Sequence, residues 1–508
     1  MKAKGKQESR KKKSIRNITY NLVNQSIALI LAFLSRTVFI WGFGVEYLGL
    51  NSLFTDVLSL LSMADLGFGT AMVFSFYKPL AENNQKKMAA LICFYRKIYN
   101  VIAFSVTAIG LCIIPALPFI VNVQQPIPNM YIYYVLSLLN VSVSYLCVYK
   151  TSILTADQNA YIIAQVNMFC NIFKTVVQCF SIILWKNYLM YLGIGIVFTI
   201  SANIIASVIA KRKYPFITQE EKLSNEDRAD IFKNIGSMVV FKVSSVMITN
   251  VDNILISTII STAMVGFYSN YLLIQNKIIQ MSALIFTSVT ASIGNVIATE
   301  SVSKRYNIFK IEQKFSFVLS GIIVPCYIVL VNDFIRLWLG DKYLLQNSVV
   351  FIIGLNMYLS CVLQPLWSYR EATGMFRKTK WAMLACAVLN VVLSIALGFY
   401  IGLAGILVAS CISRLLTYVW YEPIVLFRDY FNRKATGFIA QLVGNIFVIA
   451  GITSILRVVM SRLTVESYMG WSMKAAISVG LSTILSVAVY VRRNELLEIV
   501  KFVKQKIK

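Results

Sequence analysis

Roughly fourteen apolar segments, each long enough to cross a bilayer, take up more than half of this chain. A transmembrane helix needs about 20 consecutive apolar residues, and a soluble domain of 508 residues has nowhere to bury so many. The segments lack the period-two alternation of a membrane barrel. The expected fold class is therefore an all-α membrane protein with about fourteen transmembrane helices. Only 14% of the residues are charged, against roughly 25% in soluble domains.

Charge interrupts the apolar runs, and the interruptions are mostly positive. Arg36, Arg96, Lys97, Lys174, Lys242, Lys277 and Arg414 fall inside them, against Asp56, Asp65 and Asp252. A charge at membrane depth costs about 2.5–3.5 kcal/mol on insertion scales unless it meets water, a partner or a ligand. So many cations point to a polar, positive cavity and to an anionic substrate.

The runs divide the chain. A basic tail covers 1–16, and six spans follow over 17–210. A polar loop occupies 211–230, six more spans fill 231–427, and two helices with a basic tail complete 428–508. With the first tail inside, about 35 of the 48 Lys and Arg fall in inside loops and tails and about 6 outside. Both termini are expected in the cytoplasm of a multi-pass cell-membrane protein. The net charge of +26 then reads as a topology signal rather than as nucleic-acid binding. The first apolar run is too long for a signal peptide and contains Arg36, so the tail is read as retained and touching anionic lipid.

Nine cysteines are scattered without a CxxC pair, and histidine is absent. Metal sites and histidine proton relays are not expected. No Walker motif, nucleophile constellation or cofactor signature appears, so the chain reads as a transporter and not an enzyme. A shift of about 217 residues places Leu48-Gly49-Leu50-Asn51-Ser52 on Val265-Gly266-Phe267-Tyr268-Ser269 and Lys97 on Lys314. Six spans per half make this a parallel repeat.

The segment EYLGLNSLFTDVLSLLSMADLGFGTAMVFSFYKPLAEN (46–83) resembles the second-helix region of bacterial polysaccharide flippases of the Wzx type. TNVDNILISTIISTAMVGFYSNY (249–271) and FIRLWLGDKY (334–343) fit the same family. It belongs to the superfamily that also holds the lipid II flippase and the multidrug exporters of the MATE class. The resemblance implies two six-helix lobes in a V-shaped arrangement plus two C-terminal helices. It also implies a function: alternating-access flipping of undecaprenyl-diphosphate-linked oligosaccharide across the bacterial inner membrane, for capsule, O-antigen or similar polymers. Glycosyltransferases and a polymerase of that pathway are the implied partners.

Substrate-binding candidates are Arg36, Lys174, Lys242, Arg414, Lys277 and Arg96, since converging cations hold a diphosphate by charge-assisted hydrogen bonds. Arg36, Arg96 and Lys97 lie within snorkelling reach of a bilayer face. Asp56 is read as a neutralising partner of Arg36. Asp65 either caps a half-helix before Leu66-Gly67-Phe68-Gly69 or serves as a cavity carboxylate. Asp252 and Asn253, beside Asn250, offer oxygen ligands for a coupling proton or sodium ion. The competing readings are a lipid II-type flippase, a multidrug exporter and a membrane glycosyltransferase or polymerase. A positive cavity disfavours the exporter, and outside loops no longer than about 14 residues disfavour the last.

Overall fold

The computed structural model describes residues 2–62, 68–463 and 465–490, and among them every regular element is a helix. The chain runs through α1 (Lys2–Leu61), α2 (Phe68–Ala81), α3 (Gln85–Cys112), α4 (Leu117–Ile120), α5 (Met130–Ser144) and α6 (Val148–Ala156). There follow α7 (Ala160–Trp185), α8 (Tyr188–Lys213), α9 (Asn225–Ile259), α10 (Thr262–Thr299) and α11 (Val302–Leu339). The remainder is α12 (Asn347–Val362), α13 (Gln364–Thr373), α14 (Phe376–Ile401), α15 (Leu403–Leu416), α16 (Tyr418–Leu426), α17 (Thr436–Met460) and α18 (Tyr468–Tyr490).

Among the described residues eleven helices are long and apolar enough to span a bilayer, or up to thirteen when α5 with α6 and α12 with α13 each count as one bent span. The first of these, Val23–Leu61, has 39 residues, which at about 1.5 Å per residue is nearly twice the hydrocarbon thickness. Gly44 breaks it, with φ 85° and ψ −177°. A Cβ there would touch nothing within 4 Å, so the need for glycine is conformational. Dividing α1 at Gly44 accounts for the fourteenth span, in agreement with the number of apolar runs.

Two compact units form, 1–266 and 267–508. Helix α9 packs on α1 and so sits with the first unit, although in sequence it opens the second half of the repeat. In the first unit α7 and α8 make a tight hairpin. Lys186 takes a left-handed conformation, and the Asn187 side chain accepts the Met190 N–H at 3.2 Å to start α8. The 211–230 loop folds along the first half of α3: Arg96 Nη2 meets Glu220 Oε1 at 3.2 Å, and Lys87 Nζ meets Asp227 Oδ1 at 2.7 Å. Ser224 caps α9 by accepting the Asp227 N–H.

In the second unit neutral polar groups tie the helices, as expected where lipid gives no hydrophobic drive between them. Asn356 Nδ2 donates to Leu407 O at 3.0 Å, Asn390 Nδ2 to Ser410 Oγ at 2.9 Å, and Tyr358 OH to Leu442 O at 2.8 Å. Phe309 forms the centre of an aromatic cluster with Tyr369, Phe427, Phe431 and Phe438. Helix α18 docks on α11 through Lys474, Ser478, Ser482 and Ser486, a buried stripe at four-residue spacing. Lys474 Nζ is 2.7 Å from Asp333 Oδ2, Ser482 Oγ is 3.3 Å from Cys326 Sγ, and Gly321 leaves room for Ser486.

Candidate functional site

Helices α1, α5, α7 and α8 of the first unit enclose a polar cavity of about 270 Å³. Asn51, Thr55, Ser59 and Ser62 line it from α1, Ser137 and Asn140 from α5, Lys174 and Gln178 from α7, and Tyr191 from α8. A second cavity of about 140 Å³ opens between α7 and α8 beside Asn167, Asn171, Thr199 and Asn203. Lys174, at the middle of α7, lines both. It is the cation common to the two, and among the described residues no acidic side chain lines either.

The amides are held by bonds between helices. Gln178 Nε2 donates to Tyr191 O at 2.9 Å, fixing α7 against α8. Tyr188 OH donates to Asn51 Oδ1 at 3.1 Å, fixing α8 against α1. The hydroxyls spend their one hydrogen on backbone carbonyls four residues earlier in their own helix. Thr55 donates to Asn51 O at 2.8 Å, Ser59 to Thr55 O at 2.7 Å, Ser62 to Leu58 O at 2.8 Å and Ser137 to Tyr133 O at 2.8 Å. Their oxygens keep lone pairs for a ligand. Arg36 bears electrostatically on the Tyr191 hydroxyl, which puts its positive charge beside the same cavity.

Of the residues predicted from sequence, Lys174 lines the cavity, and Arg36 bears on it only through Tyr191. Lys242 lies half-buried on α9. Arg414 and Lys277 belong to the second unit; Arg414 Nη1 reaches Ser360 Oγ at 3.4 Å, and Lys277 Nζ is 3.5 Å from Gln280 Oε1 at an exposed position. Arg96 is half-exposed and is held by Glu220 of the polar loop. Asp65 lies outside the described residues. Asp56 departs from its expected role: no ion pair joins it to Arg36 among the described residues. Instead Asn253 Nδ2 donates to Asp56 Oδ2 at 2.6 Å, and the charge of Asp252 bears on Asp56. Two carboxylates and a carboxamide therefore gather where α9 meets α1.

Sequence reasoning passed over several buried charges. Arg370 on α13 and Glu422 on α16 form an ion pair at 2.7 Å, at 8% and 0% exposure. Glu312 on α11 and Lys474 on α18 are buried too. Glu422 and Lys474 stand inside apolar runs and carry the same signal as Lys174. Asn51, Asn140 and Gln178 are uncharged and gave no comparable signal.

The fold has solved counterparts. The lipid II flippase MurJ, in an inward closed conformation, matches with a TM-score of 0.71 at 13% identity, over 93% of this chain and 99% of that one. An inward-facing multidrug resistance MATE family transporter of the MOP superfamily matches at TM-score 0.59 and 14% identity, over 79% and 97%. A point mutant of the Vibrio cholerae MATE transporter VcmN matches at TM-score 0.59 and 12% identity, over 84% and 100%. This chain has the fold of these transporters. No family model matches the sequence, and no curated protein matches it.

Proposed function

We propose that this protein is a flippase that carries a polyprenyl-diphosphate-linked oligosaccharide across the inner membrane by alternating access, for surface polysaccharide assembly. The observation that carries this reading is Lys174, a cation at the middle of a spanning helix, shared by two cavities that are otherwise lined, among the described residues, by uncharged side chains. An intramembrane lysine costs several kcal/mol on insertion, and a diphosphate supplies the compensating charge through charge-assisted hydrogen bonds. Arg36 beside Tyr191 adds a second positive charge. The Wzx-like segments at 46–83 and 249–271 favour an oligosaccharide cargo. Both termini are assigned to the cytoplasm on the distribution of Lys and Arg. A proton or sodium ion at the Asp56–Asp252–Asn253 cluster is the proposed coupling ion.

A second reading, a lipid II-type flippase, is favoured by the coverage of the MurJ likeness. A multidrug exporter fits less well, because Lys174 and Arg36 would repel a cationic drug.

The test uses the full chain in proteoliposomes with two fluorescent cargoes, an undecaprenyl-diphosphate disaccharide and a pentapeptide-bearing lipid II. Flipping of the disaccharide lipid, at least tenfold slower in Lys174→Gln, is the expected result. Faster movement of lipid II by the wild type would favour the second reading. Equal rates with and without protein for both cargoes would overturn the proposal.

A further inference from the structure

We propose that the two cavities are two stations for one anionic group, stacked at different depths along α7 and α8, and that the cargo's diphosphate passes between them on Lys174 without leaving it. This rests on the flippase reading and deepens it by assigning the path of the charged group.

Helix direction sets the order of the stations. On α7 the smaller cavity takes Asn167, Cys170 and Asn171, the larger takes Gln178, and Lys174 is common to both. On α8 the smaller takes Thr199 and Asn203, and the larger takes Tyr191 and Gly195. The two helices form an antiparallel hairpin turned at Lys186, so the early residues of α7 and the late residues of α8 lie at the same end. Both helices therefore put the smaller cavity nearer the end that carries Lys211, Arg212 and Lys213, the cytoplasmic end by the charge assignment. At about 1.5 Å per residue, the two linings differ in depth by something on the order of 10 Å.

A polar stripe joins them. Asn167, Asn171, Lys174 and Gln178 recur at four- and three-residue spacings, which puts them on one face of α7. Elsewhere α7 is apolar, with Phe169, Phe173, Phe180 and Leu184 exposed. The stripe is about 16 Å long, roughly half the thickness of the hydrocarbon layer. A single fixed site needs polar groups at one depth only, and each further polar residue in a spanning helix adds to the cost of insertion. A stripe of this length suits a group that changes depth.

Each station sets amide N–H donors beside the lysine, as an anion that can only accept requires. Gln178 Nε2 spends one hydrogen on Tyr191 O and keeps the second. The Asn51 oxygen accepts from Tyr188, which leaves its N–H groups to the larger cavity. Asn167 and Asn171 bring theirs to the smaller one. With one lysine for both, a single diphosphate occupies one station at a time. The flexible four-carbon stem lets the ammonium swing between the stations while the α7 backbone stays in place.

Alkylation of two cysteines on the purified full chain, read by mass spectrometry, tests this. Native Cys170 reports the smaller cavity, and a Ser137→Cys variant reports the larger. The probes are farnesyl diphosphate and inorganic diphosphate. Saturating farnesyl diphosphate is expected to slow both alkylations only in part, about twofold each for equally populated stations, with the two protected fractions adding to about one. Asn171→Leu should lower protection at Cys170 and raise it at position 137. Gln178→Leu should shift the balance the other way, so either variant alone decides the point if the other folds poorly. Full protection at both cysteines, protection at only one, or a balance that neither variant shifts overturns the two stations. No protection at either cysteine, protection that survives Lys174→Gln, or protection that inorganic diphosphate matches at equal concentration overturns the flippase reading beneath them.

Discussion

Asn253 donates through Nδ2 to the Asp56 carboxylate across 2.6 Å, and this bond ties α9 to α1 inside the first unit. Further along, the end of α9 and the start of α10 are tied to α4 and the loop after it. Ser257 Oγ donates to Ile120 O at 2.8 Å, Thr262 N to Asn122 O at 2.7 Å, and Asn122 Nδ2 to Ile260 O at 3.2 Å. The charge of Asp252 also bears on Asp56. Two like charges at one junction invite a bound cation or a shared proton.

If that cluster couples transport to an ion, Asp56→Asn and Asp252→Asn will each change how lipid flipping responds to an imposed proton or sodium gradient. Asparagine keeps the shape and removes the charge, so protein level should hold. Vesicle assays with each gradient are the measurement. A gradient response unchanged in both variants would sink the coupling role and leave the cluster as a structural tie.

The backbones of α1 and α10 touch where Gly49 meets Thr262 and Gly266 meets Val45; a Cβ on either glycine would collide with the facing carbonyl. Gly49→Val is expected to destabilise the first unit by about 1–3 kcal/mol, the usual cost of overpacking. A lowered thermal midpoint in detergent would show it. Gly193→Val is the control, since nothing lies within 4 Å of a Cβ there.

The buried Arg370–Glu422 pair should behave as a unit. Removing one partner leaves an uncompensated charge, at a cost of about 3–5 kcal/mol. Glu422→Gln and Arg370→Met should each lower stability sharply, while the double variant recovers much of the loss. A double-mutant cycle by thermal unfolding decides it, and additive losses would mean the two charges do not support each other.

Acid should loosen the polar loop. Hydrogen bonds from Lys87 and then Ser224 hold the Asp227 carboxyl below its ordinary value of 3.8. A depressed carboxylate contributes stability that is fully present above the ordinary value and is lost as pH falls through the lowered one. Amide-exchange protection near Asp227 is therefore expected to be constant above about pH 4 and to fall below it. Lys87→Met should shift that fall toward the ordinary value; an unshifted profile would exclude the ion pair as its cause.

The number of helices was legible because bilayer thickness imposes a run length that chance rarely produces. The break in α1 follows from the same limit, since 39 apolar residues are nearly twice what a bilayer accommodates. Lys174 and Arg36 announced themselves as charges in apolar surroundings. That Lys174 lines a cavity and that Arg36 bears on its Tyr191 could not be read, since both depend on how α1, α7 and α8 pack. Asn51, Asn140 and Gln178 stayed hidden for a different reason. An amide in a spanning helix more often serves as a tie between helices, as Asn356 and Asn390 do here, and nothing local separates the two uses. Asp56 was matched with Arg36 on depth alone, whereas its observed partner, Asn253, is 197 residues away in sequence.

The serine stripe of α18 has a consequence for assembly. Its grip on α11 comes from small side chains and the space at Gly321, not from bulky apolar knobs. Such a contact has little pull at a distance in lipid and forms only once its groove is complete. Helix α18 is therefore expected to enter the bilayer as an independent cylinder and to dock late, as a clasp on a unit already formed. Lys474 and Asp333 then close the clasp at one end.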